Sequence, residues 1–276
     1  YRSYSKCPRT KVALDLESYG YYTEAQGKLF LNMKDCLGST LDSSLANVPG
    51  SHEADDASTT VSEVEMEMWE ERWMHDAKKL SQWDVLFDYS MKMNVEDVSL
   101  EASSMLSNWP KMNRLLIAMP SNNASVSIQI ERGGIIPNPE IKMYEAMINI
   151  VDSKPHRSEK VVLSAIETAL HKWHSLPPLV GGASSNASHK WLLHTFHRVV
   201  ELRESMNMIA EVMKSTLVGK GGSPPDLKGN ILTWRERLPE VWDDMHQWDS
   251  LLHWRVETFS MIKKSFQSRN LDESQL

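Results

Sequence analysis

A chain of 276 residues with 41% hydrophobic and 24% charged side chains, at a mean hydropathy of −0.42, has the composition of a protein that buries a sizeable core. Its net charge of −7 and isoelectric point of about 5.8 set up no general field for nucleic acid, so direct nucleic-acid binding is not expected. Cys7 and Cys36 are too few for a disulfide framework and read as thiols, and no run approaches the roughly 18 uninterrupted apolar residues of a membrane span.

Helical periodicity dominates, and sustained alternation is confined to a short candidate strand at 125–130, which makes the predicted class all-α. The first pair of helices is expected over 8–19 and 23–36. Pro8 suits a first helical position, Gly20 makes the turn, and Thr23 with Gln26 forms a capping-box pattern. Residues 37–60 are rich in Ser, Asp, Ala and Gly, cannot repay their ordering entropy, and read as a disordered insertion. Order resumes where Thr60 with Glu63, or Ser62 with Glu65, offers a cap for a helix whose apolar face carries Met66, Trp69, Trp73, Ala77 and Leu80.

Leu80-Ser81-Gln82-Trp83 is echoed by Leu106-Ser107-Asn108-Trp109, and in each case a helix should end at Leu while Trp opens the next. A loop is expected over 120–138, followed by a helix capped by Asn138, opened by Pro139 and running to Val151. From Ser158, Val162, Ala165, Ile166, Ala169, Leu170 and Trp173 form one stripe, closed by Pro177-Pro178 and Gly181-Gly182. A companion helix carries Trp191, Leu192, Phe196, Val199, Met206, Ile209 and Met213, up to a Gly/Pro-rich connection at 219–229. Beyond Pro239, Val241, Met245, Trp248, Leu252, Val256 and Phe259 keep a three/four spacing that reads as the clearest apolar stripe of the chain. The expected organisation is a set of helical hairpins at 1–36, 61–119 and 139–276, forming an α-solenoid of stacked antiparallel, tetratricopeptide-like repeats interrupted by the two insertions. Since it begins without Met and ends just after a strong helical pattern, the chain reads as an internal stretch of a longer protein.

Patterns that could carry chemistry have simpler structural readings. His171 with His174, and His189, His194 and His197, have helical spacings that could gather imidazoles on a metal, yet Trp173, Trp191 and Phe196 beside them mark packed faces and no Cys or zinc-hydrolase Glu accompanies them. Gly219-Lys220-Gly221-Gly222-Ser223 is similar to a phosphate loop but lacks the first Gly at the required spacing and a preceding buried strand. The carboxylates Glu63, Glu65, Glu67, Glu70 and Glu71 fall on several sides of one helix, as on a solvated face. The tryptophans recur at helix starts and on apolar stripes beside acidic residues, which favours core packing over a stacking platform for single strands. Asn123-Ala124-Ser125 and Asn186-Ala187-Ser188 match glycosylation acceptors by chance in an intracellular protein. No catalytic, cofactor-binding or metal-binding residue is assigned.

Trp69-Glu70-Glu71-Arg72-Trp73 with Leu80-Ser81-Gln82-Trp83-Asp84 resembles the FAT domain of the phosphatidylinositol-3-kinase-related kinases, in which helical hairpins wrap a kinase-like module. Leu232-Thr233-Trp234-Arg235-Glu236-Arg237-Leu238-Pro239, with Trp242-Asp243-Asp244-Met245, Trp248 and Trp254-Arg255, is similar to the pseudokinase branch of that family. The resemblance extends over about 66–266, and less specifically over 5–26. It implies a nuclear, non-catalytic scaffold segment of a very large transcription coactivator subunit. Its expected partners are transcription activators and the protein subunits of histone acetyltransferase complexes of the SAGA type and its nucleosomal H4-acetylating counterpart. Acetylation belongs to another subunit, and the kinase-like module of the family lies beyond the FAT region. Some family members hold an inositol phosphate in this region, but no basic residue here is assigned to one. Two other functions fit the same features: the FAT region of an active sibling kinase bracing its catalytic domain, or a regular tetratricopeptide-like adaptor for peptide tails.

Overall fold

In a computed structural model, the structure describes residues 7–45, 63–119, 138–177, 187–217, 227–241 and 243–274, and among these all regular structure is helical. The helices are α1 (Pro8–Ser18), α2 (Tyr22–Leu45), α3 (Glu63–Lys79), α4 (Trp83–Met93), α5 (Glu96–Met105), α6 (Trp109–Ala118), α7 (Pro139–Val151), α8 (Pro155–Ser175), α9 (Ala187–Leu217), α10 (Leu227–Glu236) and α11 (Met245–Ser274). Connections of two or three residues join α1 to α2, α3 to α4, α4 to α5, α5 to α6 and α7 to α8, in keeping with the expected all-α helical-repeat class. The chain divides into two compact units, Tyr1–Tyr89 and Ser90–Leu276. The candidate strand at 125–130 and most of the loop at 120–138 lie outside the described residues.

In the first unit, α1 and α3 each pack on α2. Helix α1 buries Thr10, Ala13 and Glu17, one face whose members are mostly polar, so it docks by hydrogen bonds more than by apolar area. Glu65 of α3 reaches its first turn: Oε1 accepts from the Cys7 N–H at 3.1 Å and from the Thr10 hydroxyl at 3.1 Å, and the Trp69 indole N–H donates to Thr10 Oγ1 at 2.7 Å. A carboxylate there satisfies a free helix N–H and complements the dipole. The solvated-face reading therefore fails for Glu65, which is buried; Glu67 and Glu71 are exposed. Trp69, Trp73, Ala77, Leu86 and Phe87 fill the core, with the Trp73 ring 4.8 Å from that of Tyr89.

Two expectations about α2 need correction. The helix starts at Tyr22, placing Thr23 inside its first turn instead of at the cap, and the Gln26 amide donates to Gln82 Oε1 at 2.9 Å. It also runs on to Leu45, so 37–45 is helix and not insertion: this stretch contains no Pro, and one Gly does not end a helix already propagating. The remainder of the predicted insertion, 46–60, is outside the described residues.

The sequence echo is an echo of backbone geometry. Ser81 and Ser107 both take φ 52°. Ser81 N–H bonds the Lys78 carbonyl at 3.1 Å and Gln82 N–H that of Ala77 at 3.0 Å; Ser107 and Asn108 repeat this on Ser104 and Ser103 at 3.0 and 2.9 Å. This left-handed C-terminal cap turns the chain within three residues and delivers each Trp as the first residue of the next helix. The same turn recurs at Ser153, φ 57°.

In the second unit, α7 packs on α6, α8 and α9, and α9 also meets α8, α10 and α11. Asn138 caps α7, its Oδ1 accepting the Glu140 N–H at 3.1 Å, and Pro139 is its first residue. Met112, Met143, Met147, Met206 and Met208 join Leu100, Val162, Val199 and Leu202 in a core whose flexible side chains fill irregular gaps between helices. Exposed Ser153 holds a left-handed conformation that costs an L-residue roughly 1–2 kcal/mol. Ser153→Gly should raise stability by about 0.5–1 kcal/mol after the entropy of a more flexible unfolded chain is subtracted, measured as a rise in the urea midpoint at constant slope.

Candidate functional site

Helix α9 carries Glu201, Glu204 and Ser205 at spacings of three and four, which put all three side chains on one face. That face meets α10 and α11. Glu201 has no exposed surface. Its Oε2 accepts from Arg255 Nε at 2.8 Å, its Oε1 accepts from Arg255 Nη2, and His197 Nε2 lies 3.0 Å from Oε1. Arg255 Nη2 also donates to the Trp234 carbonyl at 2.8 Å, and its guanidinium sits 5.3 Å from the Trp234 ring centroid. Trp234 donates its indole N–H to Glu204 Oε2 at 2.8 Å, and Arg237 donates to both Glu204 oxygens at 2.8 and 2.9 Å. Ser205 Oγ accepts from the Trp254 indole at 3.0 Å and lies 3.2 Å from the Thr258 hydroxyl.

The Trp-Arg-Glu-Arg string is thereby split by helix geometry: Trp234 and Arg237, three apart, turn inward, while Arg235 and Glu236 face solvent. Burial alone would raise the Glu201 carboxyl. The hydrogen bonds from Arg255 and His197 outweigh it and hold the group below its usual range. A second polar clamp joins the α5–α6 turn to α11, with Ser107 Oγ donating to Glu257 Oε1 at 2.7 Å and His253 Nε2 3.0 Å from the Ser104 carbonyl.

Beside this lock lies an open groove of about 860 Å³, floored by Leu193, Phe196 and Val200 of α9 and walled by Leu238 and Pro239. Its rim is charged. Lys190 pairs with Asp243 at 2.8 Å, a half-exposed bridge that contributes little stability. His194 lines the groove, and burial lowers its pKa.

Helix α11 overturns most of the reading of its apolar stripe, of which Phe259 does pack against the core, its ring 5.8 Å from that of Trp234. Its buried face is Ser250, Leu251, Trp254, Arg255, Thr258 and Ile262, whereas Val241 just before it and Met245, Leu252 and Val256 on it are exposed, Met245 at 70% and Val256 at 61%. Polar groups with internal partners make up half of the inward face, so hydropathy selected the other one. Most residues of the other stripes point inward: Val162, Ala165, Ala169, Leu192, Val199, Met206 and Ile209 are buried, whereas Leu170 is exposed. Of the tryptophans, Trp69, Trp73, Trp83, Trp234 and Trp254 are buried, and Trp191 and Trp248 donate to Glu140 and to the Glu240 carbonyl. Trp242 lies outside the described residues, as do the glycine-rich segment at 219–223 and the two acceptor asparagines.

Of the histidines flagged by spacing, His194 and His197 both line the groove, and the others lie apart from them. His171 and His174 are exposed, His189 packs edge-on against Trp173 at 5.2 Å, and His197 serves Glu201. Among the described residues the trio of side chains able to hold a metal is instead Glu17, His75 and Asp76 on α1 and α3 of the first unit. Sequence reasoning missed it because Glu17 is 58 positions from His75 and the pairing needs the fold.

This helical unit with its tryptophan–arginine lock is a FAT domain: the family model "FAT domain" matches residues 96–272, and the chain belongs to that family. The chain is 28% identical over 210 residues to the "SAGA complex/NuA4 acetyltransferase complex subunit TRA1" of Saccharomyces cerevisiae, covering 74% of this chain and 5% of that one. It is 26% identical over 269 residues to the transformation/transcription domain-associated protein of Danio rerio and 27% over 255 to that of Homo sapiens, covering 95% and 91% of this chain and 6% of each relative. No described helix is long and apolar enough to cross a membrane.

Removing Arg255 would strand a buried carboxylate, so Arg255→Leu should cost about 3–5 kcal/mol in urea unfolding, while Glu201→Leu/Arg255→Leu recovers most of it. Because the Glu201 pKa is depressed in the fold, its contribution is present above the unfolded value near 4.5 and is lost as pH falls through the lower folded value. Stability should therefore drop on acidification below that range, and by less in Glu201→Gln.

Proposed function

We propose that this chain is a non-catalytic scaffold segment of a large, nuclear transcription coactivator subunit of histone acetyltransferase complexes, serving subunit and activator interactions. The observation that carries this reading is the match along 95% of the chain to a protein whose name places it in transcription, and along 74% to yeast proteins named as SAGA and NuA4 subunits. Since the chain spans only 5–6% of the length of those relatives, the activity of the whole assembly comes to it by proposal alone. The relatives' names favour this reading over bracing of an active kinase.

The physical features fit such a role. Trp234, Arg237, Trp254 and Arg255 of the sequence signature are engaged internally as a lock that sets helix positions. The outward row of Met245, Leu252 and Val256 supplies an apolar helix face for a neighbouring repeat or subunit, since amphipathic helices dock through residues at such spacing.

The test is to purify the full-length parent protein from its own cells and assay histone acetylation in the eluate. Acetyltransferase activity should co-purify; its absence overturns the assignment. In the same setting Met245→Glu/Val256→Glu should lower the recovered activity several-fold, while the isolated 276-residue chain keeps its stability within about 0.5 kcal/mol, the usual range for surface substitutions. Unchanged recovery would remove this row from the contact surface.

A further inference from the structure

Asp76 is fully buried, and neither of its carboxylate oxygens has a hydrogen-bond partner. An isolated carboxylate in that position costs several kcal/mol, so a fold that keeps one has something else near it. Two other groups face it. His75 Nδ1, also without a hydrogen-bond partner, is 3.6 Å from Asp76 Oδ1 and 4.0 Å from Glu17 Oε1. One ligand atom from each of the three lies within 4.8 Å of the others.

We propose that Glu17, His75 and Asp76 form a binding site for one divalent transition-metal cation of the zinc class, joining α1 to α3 within the first unit. Bonds of roughly 2.0–2.2 Å from a tetrahedral ion place its ligand atoms about 3.4 Å apart, so the 3.6 and 4.0 Å separations from His75 need to close by about 0.2 and 0.6 Å, and all three atoms start within 4.8 Å of one another. One imidazole nitrogen with two carboxylate oxygens suits such an ion, whereas calcium and magnesium take six or more oxygens. A fourth position is left for water, and half-exposed His75 provides the way in from solvent.

Arg72 completes the arrangement. Its Nε lies 3.0 Å from both Glu17 oxygens and its Nη2 2.6 Å from Oε2, holding the carboxylate so that Oε1 is turned toward His75. Such outer partners orient the ligands of metal sites.

The experiment uses the 276-residue chain, stripped with a chelator and titrated with Zn²⁺ alone by calorimetry, with Co²⁺ as a spectroscopic probe. Expected are one equivalent of Zn²⁺ and a visible Co²⁺ band of four-coordinate intensity. Asp76→Asn and His75→Ala should each weaken binding by more than the 10–100-fold that loss of an outer partner costs, and Arg72→Gln by about that 10–100-fold. Metal-free Asp76→Asn should melt no lower than the metal-free parent, because it removes an unpaired buried charge, an outcome that a purely structural ion pair would not give. Should Asp76→Asn fail to fold, His75→Ala, altered at a half-exposed position, carries the test with its helical signal as control. No Zn²⁺ uptake by the parent chain, or uptake of equal affinity in these variants, overturns the proposal.

Discussion

The second unit depends on one buried charge. Taking the Glu201 carboxylate out of water costs several kcal/mol, and it is tolerable only where Arg255 and His197 both reach it. The same Arg255 holds the Trp234 carbonyl, so three helices are fixed against each other by one guanidinium. An apolar seam would tolerate a helix sliding or rotating by part of a turn. A charge that must be matched does not, because every other setting leaves a carboxylate or a guanidinium without a partner. Trp234 and Trp254 add geometry to this constraint: each buries a large ring and directs its single donor to Glu204 or Ser205 on the same face of α9.

How far such a site could be read from sequence depends on what each signal measures. Caps and turns were legible because their chemistry is local: Asn138-Pro139 opens α7, and the Leu-Ser-polar-Trp repeat encodes a left-handed cap followed by a helix start. Apolar stripes were legible where the buried face is apolar, as on α8 and α9. They failed on α11, whose inward face alternates Trp254 and Ile262 with Ser250, Arg255 and Thr258. A polar face satisfied from across the interface is indistinguishable, in one sequence, from a solvated one. Glu65 was misread for the same reason, since its role depends on Thr10 and Cys7, which lie 55 and 58 positions away. The Thr23–Gln26 pattern failed differently: a local capping motif was overridden by a longer helix and a distant partner, Gln82.

The family signature gains a physical meaning from this. In Leu232-Thr233-Trp234-Arg235-Glu236-Arg237, Trp234 and Arg237 turn inward at spacing three and both donate to Glu204, while Arg255 holds the Trp234 carbonyl. The string identifies a packing solution, not a reacting centre. It lies within the stretch 96–272 over which the FAT family model matches.

The two units solve a common problem with different completeness. Around Glu201, Arg255 and His197 converge and both carboxylate oxygens are engaged; around Glu17, Arg72 serves one carboxylate while Asp76 beside it accepts no hydrogen bond and faces His75 Nδ1 at 3.6 Å. Desolvation is similar in kind at both places, so the difference lies in how much positive charge the chain itself supplies. In the second unit the sequence supplies enough, and helix placement is set by the polypeptide alone. In the first, Arg72 neutralises one of two neighbouring carboxylates, so the charged tie between α1 and α3 at that point rests on the Glu17–Arg72 pair.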